Sequence, residues 1–590
     1  MVVQSLAIVP DTQAWPRSYR CVNLLLKEGF RLLWAQAPFT AISTTGARIV
    51  LAQGTFLVTG WPPGVGPDWP ALAGRRFGME VLQLDGIEDF EGLPLHPLRI
   101  AMYGGGGAPF NHARIFSDLG FTVEWIMPQE IRRGRLAEFD VFGMPGGGWF
   151  AMSGQLDPLG REGCRAISEW VRSGGMYFGS CAGSFDAAIV SESFLSVCPQ
   201  QRDLQLVNAA VWNRDDTDFV GLRSPGVGVL ESRNLCPDHP VMFGMPERFR
   251  ITHYNGPFFE AQPGSVDGAS DMVGLAAVAG VTDDFTAAED FLRLPGAGQD
   301  AGSTLVSQAA QQGRHNVVAG YNGLGRVVLF GSHPEFGYNL AMDRWDLPAR
   351  MLANAAFWQS AFGNGPRPAK RKVFPGTSTS YPVGAGLRAV SACLTAINGR
   401  VEFLNAKNEG PQPSWLGPDL AMSTFGLSGA EIWRRNLASF ADIGREIAGT
   451  IDRTGELVHE AGRVASALRG AGGPRAMGLA EALDGACLGL EEAIHFRVPD
   501  EWHQDFGYEG VLQMLHRTEL ALVAAERNLG LIFEPVANPY QYVASSPYQL
   551  VAGSYLAALG VFANAWFLLQ MQEFELSDLV FRGKAVLAIG

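Results

Sequence analysis

From residue 98 to 362 the chain alternates short apolar runs with segments of helical period. Runs at 98–103, 122–126, 141–144, 176–178 and 327–330 read as strands, and 110–119, 160–172 and 347–362 as helices. Strand, helix, strand, helix is the pattern of a parallel sheet with crossover helices. Between 190 and 320 the pattern changes to alternating stretches such as 204–212 and 250–259, which predict added strands in an insertion. There 283–289 is polar and helix-like, and 295–302 reads as a loop. Residues 1–97 predict a small α/β unit that covers or extends the central sheet. Its elements are a helix at 19–26, strands at 31–34, 47–51 and 55–58, and a Gly- and Pro-rich loop at 60–74.

Beyond 378 the apolar period lengthens to three and four. Helices are predicted at 387–404, 430–468, 479–496, 508–528 and 548–576, an all-α helical bundle over 378–590. A Pro-, Gly- and Lys/Arg-rich stretch at 363–377 reads as the linker. The stretch 550–569 is apolar, yet it holds Gly553, Ser554, Gly560 and Asn564 and has no basic flank. It reads as a buried bundle helix, and no membrane association is expected.

A formal net charge of −14 argues against a nucleic-acid surface. Seven scattered cysteines fit a reducing compartment, and the first residues lack the basic and apolar regions of a signal peptide, so the expectation is cytoplasmic. Glycines 104–107 do not make a dinucleotide fingerprint, because Pro109 stands at the last position, and no cofactor is expected. Glu456 with His459, Glu492 with His495 and His516 with Glu519 have metal-ligand spacing on helices. The unpaired inward carboxylates of a di-iron site are not assignable, so no metal is expected.

The chemistry gathers at three strand ends. Gly179 and Gly183 flank Cys181 at two residues on either side, the small-residue requirement of a nucleophile elbow. Such a turn aims the next helix N-terminus at the sulfur, which favours thiolate. The strand at 327–330 ends in Gly331-Ser332-His333-Pro334-Glu335. Cys181, His333 and Glu335 thus have the residue types of nucleophile, base and orienter. The strand at 141–144 ends in Gly146-Gly147-Gly148, bare backbone that could join the Ala182 amide as an oxyanion hole. His253, Tyr254 and Asn255 are candidates for the pocket mouth, although a lone His in an apolar strand is more often structural.

These pieces, in this order, resemble the class I glutamine amidotransferases. The closer likeness is to the branch found as the biotin-protein ligase N-terminal domain, carried by His239-Pro240, Gly244-Met245-Pro246, Tyr254-Asn255-Gly256-Pro257 and Gly331 to Glu335. The resemblance spans about residues 98–362. It implies a flavodoxin-like parallel sheet with a Cys nucleophile elbow and puts Gly105 and Gly106, with Tyr254 and Asn255, beside the substrate. Two departures stand out. Phe185 occupies the position where glutaminases of the class carry Gln, and about 150 residues separate Cys181 from His333.

Two functions follow. One is an amidase or glutaminase-type amidotransferase that cleaves a C–N bond in a small amide-bearing substrate and passes ammonia to a partner. The other is a non-catalytic binding or regulatory module that uses the helical bundle to dock a protein partner. The missing Gln favours the second, or a substrate other than glutamine, whereas the intact Cys, His and Glu favour the first.

Overall fold

A computed structural model describes residues 5–10, 14–63, 65, 68–146, 151–214, 223, 225–282, 285–287, 302–338, 345–361, 384–408, 429–497, 508–532 and 547–589. The linker at 363–377, Gly147 and Gly148, and all but Gly302 of the loop at 295–302 lie outside them. The chain divides into two compact units, a mixed α/β unit ending in the helix Ala349–Ser360 and a helical unit beginning with the helix Ala385–Asn408.

The first 95 residues do not extend the central sheet. They build a seven-stranded antiparallel sheet of their own, in the order Arg48–Leu51, Phe39–Ser43, Leu82–Glu88, Ser5–Ile8, Phe56–Gly60, Arg31–Ala35 and Gly92–Leu95. The region predicted as loop at 60–74 instead starts a helix, Trp69–Arg76. Pro70 sits in its first turn, where proline is tolerated, and Trp69 and Ala73 are buried. The helix Ala349–Ser360 packs against this sheet. Phe357 touches the rings of Tyr19, Trp34 and Phe56, and also that of Phe121 just ahead of the second sheet's edge strand. Asn354 of the same helix accepts a hydrogen bond from the Tyr19 hydroxyl.

The second sheet is mixed rather than purely parallel. Five strands run parallel in the order Thr122–Ile126, Arg99–Tyr103, Val141–Met144, Met176–Ser180 and Gly325–Phe330. The last four are buried throughout, as strands covered on both faces must be. The insertion then continues the sheet antiparallel through His315–Asn322, Val273–Val281, Gly226–Asn234 and Arg248–Tyr254. The helix-like reading at 283–289 is corrected in part: Thr286–Ala287 pairs as a short strand with Gly226–Asn234. The predicted helix at 160–172 also starts earlier, at Ala151, with a break at Gly160, whose backbone is not helical.

This topology sets the site. The loops after the four buried parallel strands all leave from carboxyl ends, which is where open α/β sheets bind ligands. They carry Gly104–Gly107, Gly146, Cys181 and His333.

In the helical unit, Ala385–Asn408, Gly429–Ala471, Pro474–His495, Val511–Ile532 and Pro547–Ile589 are all helices. The last packs against the second, third and fourth. Its buried run includes Phe562, Trp566, Phe567 and Leu569, with Phe562 stacked on Phe440. Among the described residues no helix is long and apolar enough to cross a membrane.

Candidate active site

Cys181 stands between the strand Met176–Ser180 and the short helix Ala182–Asp186 with φ +49° and ψ −114°. Such a positive φ is costly for a residue with a side chain and persists only where its surroundings enforce it. They do so here. The Cys181 amide donates to the Phe330 carbonyl at 2.8 Å, and the Cys181 carbonyl accepts from the Ser184 and Phe185 amides at 3.0 Å. Tyr177 ties the turn from beneath through a 2.5 Å bond to the Gly183 carbonyl. A side chain at Gly179 would overlap the Gly183 carbonyl, and one at Gly183 would overlap that of Met144. The two small residues read from the sequence are therefore required by backbone contact.

His333 follows the strand Gly325–Phe330, and its amide donates to the Thr252 carbonyl at 2.8 Å. Its ring stacks on Phe336 at 4.5 Å, and Nδ1 lies 2.7 Å from Glu335 Oε1. Both side chains are almost wholly buried. Nε2, the other ring nitrogen, makes no hydrogen bond of good geometry among the described residues, yet the Cys181 thiol is near enough to act on the imidazole. Gly146 brings the histidine and the cysteine together. A Cβ on Gly146 would stand 2.8 Å from both Cys181 Cβ and His333 Cε1. The Cys181 thiol itself donates to the Tyr254 carbonyl at 3.3 Å.

The electrostatics follow from burial and pairing. Burial works against the Glu335 charge, but the imidazoles of His112 and His333 outweigh it and hold the carboxyl well below the usual range. Burial also opposes the His333 charge, yet Glu335 and then Cys181 raise its pKa. His253 behaves in the opposite way: it is fully buried, stacked on Phe258, and pushed down to about 3 by burial and the His333 charge. It serves as a neutral core residue bonded to Ser332 through Nδ1 at 3.1 Å.

A sign follows for stability. Glu335 contributes fully above its ordinary value of 4.5, and this is lost as pH falls through its depressed folded pKa. His333 contributes fully below its ordinary 6.5, and this is lost as pH rises through about 10. The melting-temperature gap between wild type and Glu335→Gln is therefore expected to be widest from pH 4.5 to 6.5. It should shrink as alkali is added. Thermal melts across that range check this, and a gap that widens above pH 7 would contradict it.

The other sequence-derived candidates fall around this centre. Tyr254 supplies the carbonyl on the thiol and an edge-on ring 6.3 Å from His333. Asn255 has φ +52° and a buried Oδ1 with no hydrogen-bond partner among the described residues. Ala182 begins the helix behind the sulfur, so its amide has no intrahelical partner. Gly105 and Gly106 are buried; a side chain on Gly105 would meet the Tyr103 hydroxyl and Pro128. Their loop backs Gly146, whose carbonyl accepts from the Ala108 amide at 2.8 Å.

The helical pairings do not converge. Glu456, His459, Glu492 and His516 are exposed, and Glu519 pairs with Arg400. Among the described residues no group of three or more potential ligands could hold a metal ion.

Two buried groups have no counterpart in the sequence reading. His112, in the helix Phe110–Asp118, places Nε2 3.3 Å from Glu335 Oε2. Asp186, fully buried with no hydrogen-bond partner among the described residues, has its pKa raised well above the usual range by burial and then by Cys181. The available signal for His112 was its position in the first turn after the glycine loop.

No family model matches the chain, and neither does any curated protein. Among solved structures it is similar to a cytoplasmic protein from Salmonella typhimurium at 11% identity and TM-score 0.26, over 44% of this chain and 96% of that one. It is also similar to a ThuA-like protein from Bacteroides uniformis at 12% identity and TM-score 0.26, over 44% and 90%. A ThuA-like protein from Parabacteroides merdae aligns at 13% identity and TM-score 0.27, over 46% and 93%. At these scores the likeness carries no argument.

Proposed function

We propose that the α/β unit is a class I glutamine amidotransferase-like domain of the biotin-protein ligase N-terminal branch, and that it cleaves an amide C–N bond through Cys181, His333 and Glu335. The observation that carries this reading is the convergence at Gly146: a Cβ there would stand 2.8 Å from both Cys181 Cβ and His333 Cε1, with Glu335 bonded behind the ring. The parallel strand order, 2-1-3-4-5 in chain sequence, supports the flavodoxin-like class. The positive φ of Cys181 supports the nucleophile elbow.

In this mechanism the Cys181 thiolate attacks the amide carbonyl carbon, and the oxyanion that forms is met by the Ala182 amide and the backbone at Gly146. His333, as imidazolium, gives its proton to the leaving nitrogen. The C–N bond breaks and a thioester remains. Water then attacks the thioester, His333 takes the water's proton, and the C–S bond breaks to return thiolate and release a carboxylic acid. Glu335 holds the ring with Nε2 toward the reaction and stabilises its charge. Location in the cytoplasm and a protein partner on the helical unit belong to the same reading.

Two observations favour the binding-module alternative. The resting thiol donates to the Tyr254 carbonyl, and Phe185 fills the core where glutaminases carry Gln. A chloroketone analogue of glutamine separates the two. Mass spectrometry is expected to find the adduct on Cys181 and none on buried Cys198. Absence of any adduct on Cys181, with this and simpler amide-like electrophiles, would favour binding without turnover.

A further inference from the structure

Glu335 has two oxygens, and the Cys-His-Glu reading uses one. Oε1 takes the 2.7 Å bond with His333 Nδ1. Oε2 is buried and takes no hydrogen bond of good geometry among the described residues. The group standing at it is the His112 imidazole, whose Nε2 is 3.3 Å away. The same nitrogen lies 2.5 Å from the hydroxyl of Ser180, the residue immediately before Cys181. His112 is wholly buried, and its ring rests tilted on Phe178 at 5.5 Å. A carboxylate this deep is costly unless its charge is compensated on both sides.

We propose that His112 is a positioning residue of the site: it holds Glu335, and through it His333, while Ser180 locks the ring to the strand that delivers Cys181. The inference rests on the proposed Cys-His-Glu site. It adds a link from a third element, because His112 comes from the helix behind the glycine loop. The titratable groups facing this centre are His333 and Glu335 on their own turn, Cys181 and Asp186 on the elbow and its helix, and His253 on the neighbouring strand. The groups that lower the pKa of Glu335 are His112 itself and, of these, only His333. Taking the His112 imidazole away makes Glu335 easier to protonate, so the base loses its orienter at a higher pH.

The test uses the full chain and the variants His112→Asn, His112→Gln and Ser180→Ala, with melting curves to establish folding. The readouts are the pH dependence of Cys181 alkylation by iodoacetamide and the carbon-NMR titration of the Glu335 carboxyl. Asn is too short to put its amide nitrogen where Nε2 stands, whereas Gln can. In His112→Asn the acid limb of alkylation and the Glu335 titration are expected to move up by about one pH unit. Ser180→Ala should move them part of the way, and His112→Gln should restore the wild-type values. Unmoved titration in both His112→Asn and Ser180→Ala would overturn the proposal, and either folded variant suffices if the other fails to fold. If Cys181 reacts no faster than the other cysteines, the catalytic reading fails separately. The Glu335 titration then still decides the role of His112.

Discussion

Gly256→Ala is expected to destabilise the α/β unit by about 3 kcal/mol or more, the upper range for forcing atoms into a close-packed interior. A Cβ at Gly256 would overlap the Gly331 carbonyl oxygen and stand 3.5 Å from Cys181 Cα. A Cβ at Gly331 would overlap the Pro257 carbonyl in turn. These are contacts with backbone, so no rotamer change relieves them. The loop carrying Tyr254 and the turn carrying His333 would have to move apart, and the site would open with them. Gly462→Ala is the control, because a Cβ there meets nothing within 4 Å and the residue lies inside the helix Gly429–Ala471. It should be neutral or stabilising by up to about 1 kcal/mol. Denaturant unfolding of the two variants checks the contrast, and equal stability would contradict the close approach.

The position of Gly256 shows why parts of this molecule were legible in the sequence. Parallel strands such as Met176–Ser180 and Gly325–Phe330 are buried on both faces and so read as unbroken apolar runs. The helices of the second unit were legible for a related reason, since long stretches of period three to four have few alternatives. Cys181, Gly179, Gly183, His333 and Glu335 were legible because a tight turn restricts which residues can stand there. The N-terminal sheet was harder. Its strands Ser5–Ile8 and Gly92–Leu95 have four residues each, too short for a period to emerge. Trp69-Pro70 reads as a loop breaker until Pro70 is seen in the first turn of a helix. His112 was hard to read for a different reason. Its place in the first turn after the glycine loop does not name its partners, and it meets Ser180 and Glu335 only because the strand order folds three distant segments onto one edge. Asp186 is similar: a carboxylate at the end of a short helix is ordinary in sequence, and only its complete burial makes it unusual.

The chemistry of the seven cysteines offers the sharpest separation between a catalytic and a scaffolding elbow. All seven are free. Burial pushes Cys21 and Cys198 up to about 12 and Cys487 up to about 11, and it raises Cys164, Cys236 and Cys393 as well. At pH 7 a thiol with a pKa near 11 is ionised to about one part in ten thousand, so Cys487, and still more Cys21, Cys164 and Cys198, react slowly. Cys181 differs in its surroundings: a helix begins at its Cα, and His333, whose imidazolium Glu335 favours, stands across Gly146 from it.

The most direct measurement is therefore the rate of iodoacetamide alkylation at each cysteine between pH 6.5 and 7, resolved by peptide mass spectrometry. It should be made on wild type, His333→Asn and Glu335→Gln. Cys181 is expected to react at least about tenfold faster than any other cysteine. His333→Asn should remove most of that advantage, and Glu335→Gln should remove less of it, since the ring remains in place without its anchor. Labelling of Cys181 no faster than that of Cys236, Cys393 or Cys487, and unchanged by His333→Asn, would contradict the account and leave the turn at Cys181 as scaffold.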